Sequence, residues 1–169
     1  MENKQIVSLL AYNRPGVLQR ITGLFARRGF NIESITAGVT QDERYSRITV
    51  MLSGDTSIAQ QVIHQALKVV DVTTATILPE EDSISSELML IKVRATPAER
   101  AAIFKIAVTY HATVVNVGQN SMTMQATAMP HELDELIRHL KKQGILELAR
   151  TGMTALQCGD TRIFDVERD

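Results

Sequence analysis

The chain has 169 residues, room for one average domain or two small ones, with 44% hydrophobic and 22% charged positions. That balance supplies enough apolar surface for a core and excludes a disordered chain. Lys and Arg total 18 against 19 Asp and Glu, a formal net charge of −1, which argues against a general nucleic-acid binder that must displace counterions from phosphates. Cys158 is the single cysteine, so an intramolecular disulfide and a multi-cysteine metal site are excluded.

In chain order, Gln5 to Ala11 alternates through Val7, Leu9 and Ala11 and reads as a strand. Asn13-Arg14-Pro15-Gly16 reads as a turn, and from Val17 the apolar positions Val17, Leu18, Ile21, Leu24 and Phe25 mark one face of a helix. Arg27 and Arg28 suit its last turn, and Gly29 falls where a left-handed C-cap is expected. Ile32 to Val39 and Arg47 to Ser53 read as strands joined by a hairpin loop at Gln41 to Arg44. Ser57 to Lys68 has the spacing of a second amphipathic helix, and Val70 to Leu78 reads as a closing strand.

Residues 79–86 are polar, acidic and serine-rich and read as a linker between a first unit (1–78) and a second unit (87–158), with 159–169 as a tail. In the second unit Met89 to Ala95 alternates as a strand. Thr96-Pro97 then reads as the opening of a helix, with Thr at the N-cap and Pro at the first helical position. Strands at Val114–Val117 and Ser121–Ala128, a helix at Pro130–Lys142 stopped by Gly144, and a strand from Ile145 to Thr151 follow. The order β-α-β-β-α-β thus occurs twice. It predicts an α+β chain of two tandem ferredoxin-like sandwiches, each leaving one sheet face without a helix, and pairing of chains is expected to protect such small units.

No catalytic constellation emerges. His64, His111, His131 and His139 lack metal-ligand spacing, and Glu132, Asp134 and Glu135 suit the first turns of a helix. Cys158 has no base beside it, and neither a G-x-G-x-x-G nor a P-loop is present. These readings favour a chain with no catalytic residues and no metal. No stretch reaches the ~20 apolar residues of a membrane span. The N-terminus does not read as a signal peptide, so a cytoplasmic or organelle-matrix protein is expected.

The turn after the first strand is different. Strand, Gly-containing turn and helix follow each other directly, so the orphan N–H groups near residues 16 to 18 and the helix dipole would receive a carboxylate. Asn13 beside them offers a donor and an acceptor. On chemistry alone, a plain structural turn explains these residues equally well.

The runs Asn13-Arg14-Pro15-Gly16-Val17-Leu18, Gly23-Leu24-Phe25, Arg27-Arg28-Gly29-Phe30-Asn31-Ile32-Glu33-Ser34 and Ser46-Arg47-Ile48-Thr49 closely resemble the small regulatory subunit of acetohydroxyacid (acetolactate) synthase. The first half resembles its ACT domain, and the second half matches through Glu87 to Val93 and Ile145 to Gly152. The resemblance implies a non-catalytic subunit without a cofactor of its own. Such a subunit activates a catalytic partner that uses thiamine diphosphate, Mg2+ and FAD, and confers feedback inhibition by valine or another branched-chain amino acid. It further implies a homodimer through the ACT domains, with Asn13, Pro15, Gly16, Val17 and Leu18 of one subunit and Asn31 and Ile32 of its neighbour forming the effector site.

Residues 1–40 hold five Lys or Arg against two acids, and part of this surface, with Arg20, Arg27 and Arg28, is read as a contact with the catalytic subunit, a solvated helix face explaining the charge about equally well. An RNA-recognition module shares the element order, but the strands 5–11 and 47–53 lack its stacking aromatics. An acylphosphatase-like enzyme would also place an anion at the first turn, yet the doubled unit and the full-length resemblance weigh against it. An ACT-type amino-acid sensor acting on a different enzyme is the other reading.

Overall fold

The computed structural model describes residues 4–165. These form two compact units, one of residues up to Ser85 together with those from Met153 onward, the other Ser86–Gly152.

In the first unit, β1 (Lys4–Tyr12), α1 (Val17–Arg28), β2 (Ile32–Val39), β3 (Tyr45–Ser53), α2 (Thr56–Ala66) and β4 (Val72–Leu78) build an antiparallel sheet in the order β2-β3-β1-β4. Alternation sends Val7, Leu9, Ala11, Ile48, Val50 and Leu52 to the face where Ile21 and Phe25 of α1 and Ala59 and Val62 of α2 pack. Gly29 ends α1 at φ 69°, the left-handed cap read from the sequence, and donates back to the Ala26 carbonyl. Leu18 was expected on the buried face of α1 but is 44% exposed. It sits in the first turn, and only Val17, Ile21 and Phe25 of this helix are buried. Asp55 opens α2, its carboxylate accepting from Ser57 N–H at 3.0 Å and Ile58 N–H at 3.1 Å.

The second unit repeats the layout with β5 (Ser83–Arg94), α3 (Arg100–Thr109), β6 (Thr113–Val117), β7 (Ser121–Ala128), α4 (Pro130–Leu140) and β8 (Ile145–Arg150), in sheet order β6-β7-β5-β8. Its core joins Met89, Ile91, Val93, Met122 and Met124 to Ile103 of α3 and Leu133, Leu136 and Leu140 of α4. Both sheets therefore have the ferredoxin-like order read from the sequence. The start of α3 differs from the reading. Residues 97–99 are a turn whose Glu99 and Arg100 N–H groups donate to the Thr96 carbonyl, while the Glu99 carboxylate accepts from the Thr96 N–H and hydroxyl. Thr96 spends its hydroxyl on Glu99 instead of capping the helix.

Two boundaries also differ. Residues 80–82 form a short 3₁₀ turn and β5 starts at Ser83, within the span read as a linker. Met153 to Asp165, read as the end of the second unit and a tail, belongs to the first unit and holds β9 (Thr154–Gln157) and a 3₁₀ turn at Ile163–Asp165. Arg47 donates to the Ala155 carbonyl at 3.1 Å, the Met153 N–H donates to Ser34 at 3.3 Å, and Tyr45 meets Phe164 edge-on. Leu10, Thr49, Met51, Thr74 and Leu78, on the face away from the helices, are consequently buried, as are Met153, Ala155 and Ile163. The helix-free face of this sheet is not open. No helix among the described residues is long and apolar enough to cross a membrane.

Candidate functional site at the first strand–helix turn

Pro15 fixes its own φ, and Gly16 completes the turn at φ 80°, ψ −5°, in the left-handed region that costs other L-residues a Cβ clash. Val17 N–H donates to the Arg14 carbonyl at 3.3 Å and Arg20 N–H to the Gly16 carbonyl at 3.0 Å. Among the described residues, the N–H groups of Gly16, Leu18 and Gln19 have no acceptor, and all three residues are exposed. No side chain caps α1, and its first turn holds no acid. Three outward N–H groups at the positive end of a helix dipole are an anion cradle.

The surrounding charges reinforce it. Arg14 and Arg20 flank the turn and share Asp71 at 4.0 Å and 2.6 Å, two cations against one carboxylate. Arg14 also lies over the Tyr12 ring, 4.7 Å from its centroid. Asn13 donates its Nδ2 to the Glu43 carbonyl at 3.1 Å and its N–H to the Arg44 carbonyl at 2.7 Å, which ties the turn to the β2–β3 hairpin. In that hairpin Arg44 grips Asp42 at 2.5 Å and holds its carboxyl below the usual carboxylate range. The side-chain oxygen and the second Nδ2 proton of Asn13 remain open to a ligand, so part of its expected donor–acceptor role is spent on the protein. A groove of about 810 Å³ leads from Gly16 along α1 past Arg20 and Arg27 to the turn at Val70, which is 88% exposed.

Asn31 and Ile32 are not part of this cluster within one chain. Ile32 pairs with Leu52, which pairs with Gln5, eight residues along the sheet from Asn13 and therefore roughly 26 Å away. Their neighbour is Glu33, whose carboxyl is held below its usual range by the Lys4 ammonium at 2.6 Å and then by the Ser53 hydroxyl. Ile32 and Val39 lie on β2, an edge strand, with Val39 58% exposed. Of the three arginines read as a partner contact, Arg20 is tied to Asp71, while neither Arg27 nor Arg28 forms an ion pair among the described residues. The sequence reading missed Asp71 and the hairpin carbonyls. Both lie at least 30 residues from the groups they hold, beyond the reach of any local pattern.

Elsewhere the groups weighed as catalytic have structural partners. Glu132 accepts from the Met129 N–H at 3.0 Å, Asp134 pairs with Arg150, and Glu135 with Arg138. His139 Nδ1 bonds the Tyr110 hydroxyl at 2.7 Å. Among the described residues no cluster of His, Cys, Asp and Glu is arranged to hold a metal.

Comparison with known proteins completes the picture. Residues 7–74 match the family described as the AHAS small subunit-like ACT domain, and residues 86–159 the small subunit of acetolactate synthase. The chain is 42% identical over 158 residues to the acetolactate synthase small subunit of Bacillus subtilis, covering 92% of this chain and 91% of that one. It is 37% identical over 159 residues to the probable acetolactate synthase small subunit of Archaeoglobus fulgidus, covering 94% and 99%. The crystal structure of the acetolactate synthase small subunit from Thermotoga maritima superposes with a TM-score of 0.87 at 32% identity, over 94% of this chain and 99% of that one. With both of its halves matched and its length spanned by these relatives, the chain belongs to the acetolactate synthase small-subunit family and carries an ACT domain in its first unit.

Proposed function

We propose that this chain is a non-catalytic regulatory subunit in branched-chain amino acid biosynthesis. In this reading it activates a thiamine-diphosphate-dependent catalytic subunit, which also uses Mg2+ and FAD, and imposes feedback inhibition by valine or another branched-chain amino acid. One observation carries the effector reading: the open N–H groups of Gly16, Leu18 and Gln19 at an uncapped, acid-free helix start. An α-carboxylate fits there, the free Asn13 oxygen accepts from the ammonium, and the exposed Leu18 meets an aliphatic side chain.

The separation of Asn31 and Ile32 from the turn supports a site built from two chains. Two-fold, antiparallel pairing of β2 edges carries the partner's start of β2 to the end of the sheet where Asn13 to Leu18 stands. It also removes an unpaired strand edge. The test is to reconstitute the chain with its catalytic subunit and titrate valine, while following the mass of the free chain by sedimentation. Stimulation, inhibition that saturates with valine, and a dimer are expected. A monomer at micromolar concentration both with and without valine overturns the two-chain site.

Arg27 and Arg28 are the better probes of the catalytic-subunit contact, since reversing Arg20 would set two acids against each other at Asp71. The Arg27→Glu, Arg28→Glu double variant is expected to lower affinity for the catalytic subunit about tenfold, and more steeply at low salt. Activation titrations at two ionic strengths read this directly, and an unchanged curve removes these residues from the contact.

A further inference from the structure

We propose that the helix-free face of the first unit's sheet holds a second ligand site, for a small oxyanion group, carboxylate or phosphate. Arg47 serves as its fork and Ser8 as its hydroxyl partner. The site is a cavity of about 270 Å³ roofed by the C-terminal segment and lined by Ser8, Arg47, Thr76, Gln157, Asp160 and Arg162, among others. It lies on the face of the sheet opposite α1 and α2, apart from the Gly16 turn.

Two observations point to an occupant. Ser8 is 0% exposed, its Oγ has no hydrogen-bond partner, and it borders the cavity. A buried hydroxyl left unbonded costs stability that an alanine would not. Arg47 is half-buried, and among the described residues its only hydrogen bond is the one from Nη1 to the Ala155 carbonyl; it forms no ion pair. A guanidinium carries five donors and a permanent charge, and burying it beside one neutral carbonyl leaves most of both uncompensated. Anchoring a carbonyl needs no charge. Burial pushes the Arg47 guanidinium below its usual range, the direction of an unmatched cation.

Among the described residues no other charge at the cavity pairs with it, although the Asp160 carboxylate lines the same space. Arg162 is held bidentately by Asp165 at 2.8 and 2.9 Å, and Asp160 makes no ion pair with Arg47. An oxyanion against the Arg47 fork would satisfy two of its N–H donors together, with the Ser8 hydroxyl reaching a second oxygen; Thr76, its cross-strand neighbour, spends its own hydroxyl proton on the Ile77 carbonyl at 3.2 Å. The volume suits a molecule no larger than an amino acid or a short phosphorylated metabolite.

The test uses the isotope-labelled full chain, titrated at constant ionic strength with inorganic phosphate and, separately, with glycolate as the carboxylate probe. Saturable shifts of the Ser8, Arg47 and Thr76 amides are expected, and the probe that saturates earlier identifies the headgroup. Arg47→Gln should abolish saturation. Arg47→Lys, which keeps the charge and loses the fork, should weaken binding at least tenfold. Ser8→Ala should fold as well as wild type and bind several-fold more weakly, so a misfolded Arg47→Gln does not shield the idea. Shifts that never saturate, or that persist unchanged in both the Arg47→Gln and Ser8→Ala chains, overturn the site and leave Arg47 as an anchor for the C-terminal segment. Movement of the Gly16 and Leu18 amides alone also overturns it, because that places the anion at the first turn.

Discussion

Gly16→Asp is expected to yield a small subunit that still stimulates the synthase but no longer transmits valine. The substitution sets a carboxylate where the effector's own carboxylate would sit. At an effective dielectric near 20, like charges ~4 Å apart repel by about 4 kcal/mol, roughly a thousandfold in affinity before screening. The turn is exposed, so solvent and salt remove part of this, leaving a loss on the order of a hundredfold. Backbone strain must be separated from charge, because Gly16 sits at φ 80° and a Cβ there would meet Arg20 Nη1 at 3.3 Å. Gly16→Asn is the control. Asn has nearly the same shape as Asp and the same tolerance of the left-handed region, without the charge, and should keep most of the valine response. Inhibition curves of the reconstituted enzyme with each variant check the difference. Wild-type sensitivity in a folded Gly16→Asp protein places the effector elsewhere.

Arg150→Met is expected to loosen the second unit more than a loss of surface charge would. Glu87, at 6% exposure, accepts from Arg150 Nη2 at 2.6 Å and from the Gly152 N–H at 3.1 Å, and Arg150 Nη1 reaches Asp134 on α4 at 2.7 Å. One guanidinium thus ties β8 to β5 and to α4, and in doing so matches a buried carboxylate. Methionine keeps most of the aliphatic volume but strands that carboxylate. Breaking such a pair from one side costs about 3 kcal/mol. In the full chain, amide exchange at Met89, Ile91 and Leu148 should quicken about a hundredfold, while Val7 and Val50 in the first unit stay protected. Adding Glu87→Gln removes the stranded charge and should restore part of the loss. Unchanged exchange in the single variant would mean that water already reaches Glu87.

The legibility of this chain follows the range of its interactions. Alternation at Val7, Leu9 and Ala11, the helical spacing of Val17, Ile21 and Phe25, and the glycine that ends α1 are local patterns, each set by residues within four positions of one another. Periodicity therefore determined the doubled β-α-β-β-α-β layout and the strand–turn–helix junction at Asn13 to Leu18, while the family was legible through the resemblance of its residue runs. It did not determine which sheet faces stay open. The C-terminal segment reads as the end of the second unit followed by a tail because its covering role rests on contacts such as Arg47 to Ala155, 108 positions apart. Asp71 is bound to Arg20 across 51 positions, so the sequence offered three equivalent arginines where the fold leaves two without an ion partner among the described residues. Asn31 and Ile32 enter the proposed site by resemblance alone. Only the register of β2 on β3 decides that a single chain holds them at the far end of the sheet from Gly16, because side-chain periodicity places a residue on a face while strand pairing places it along the strand.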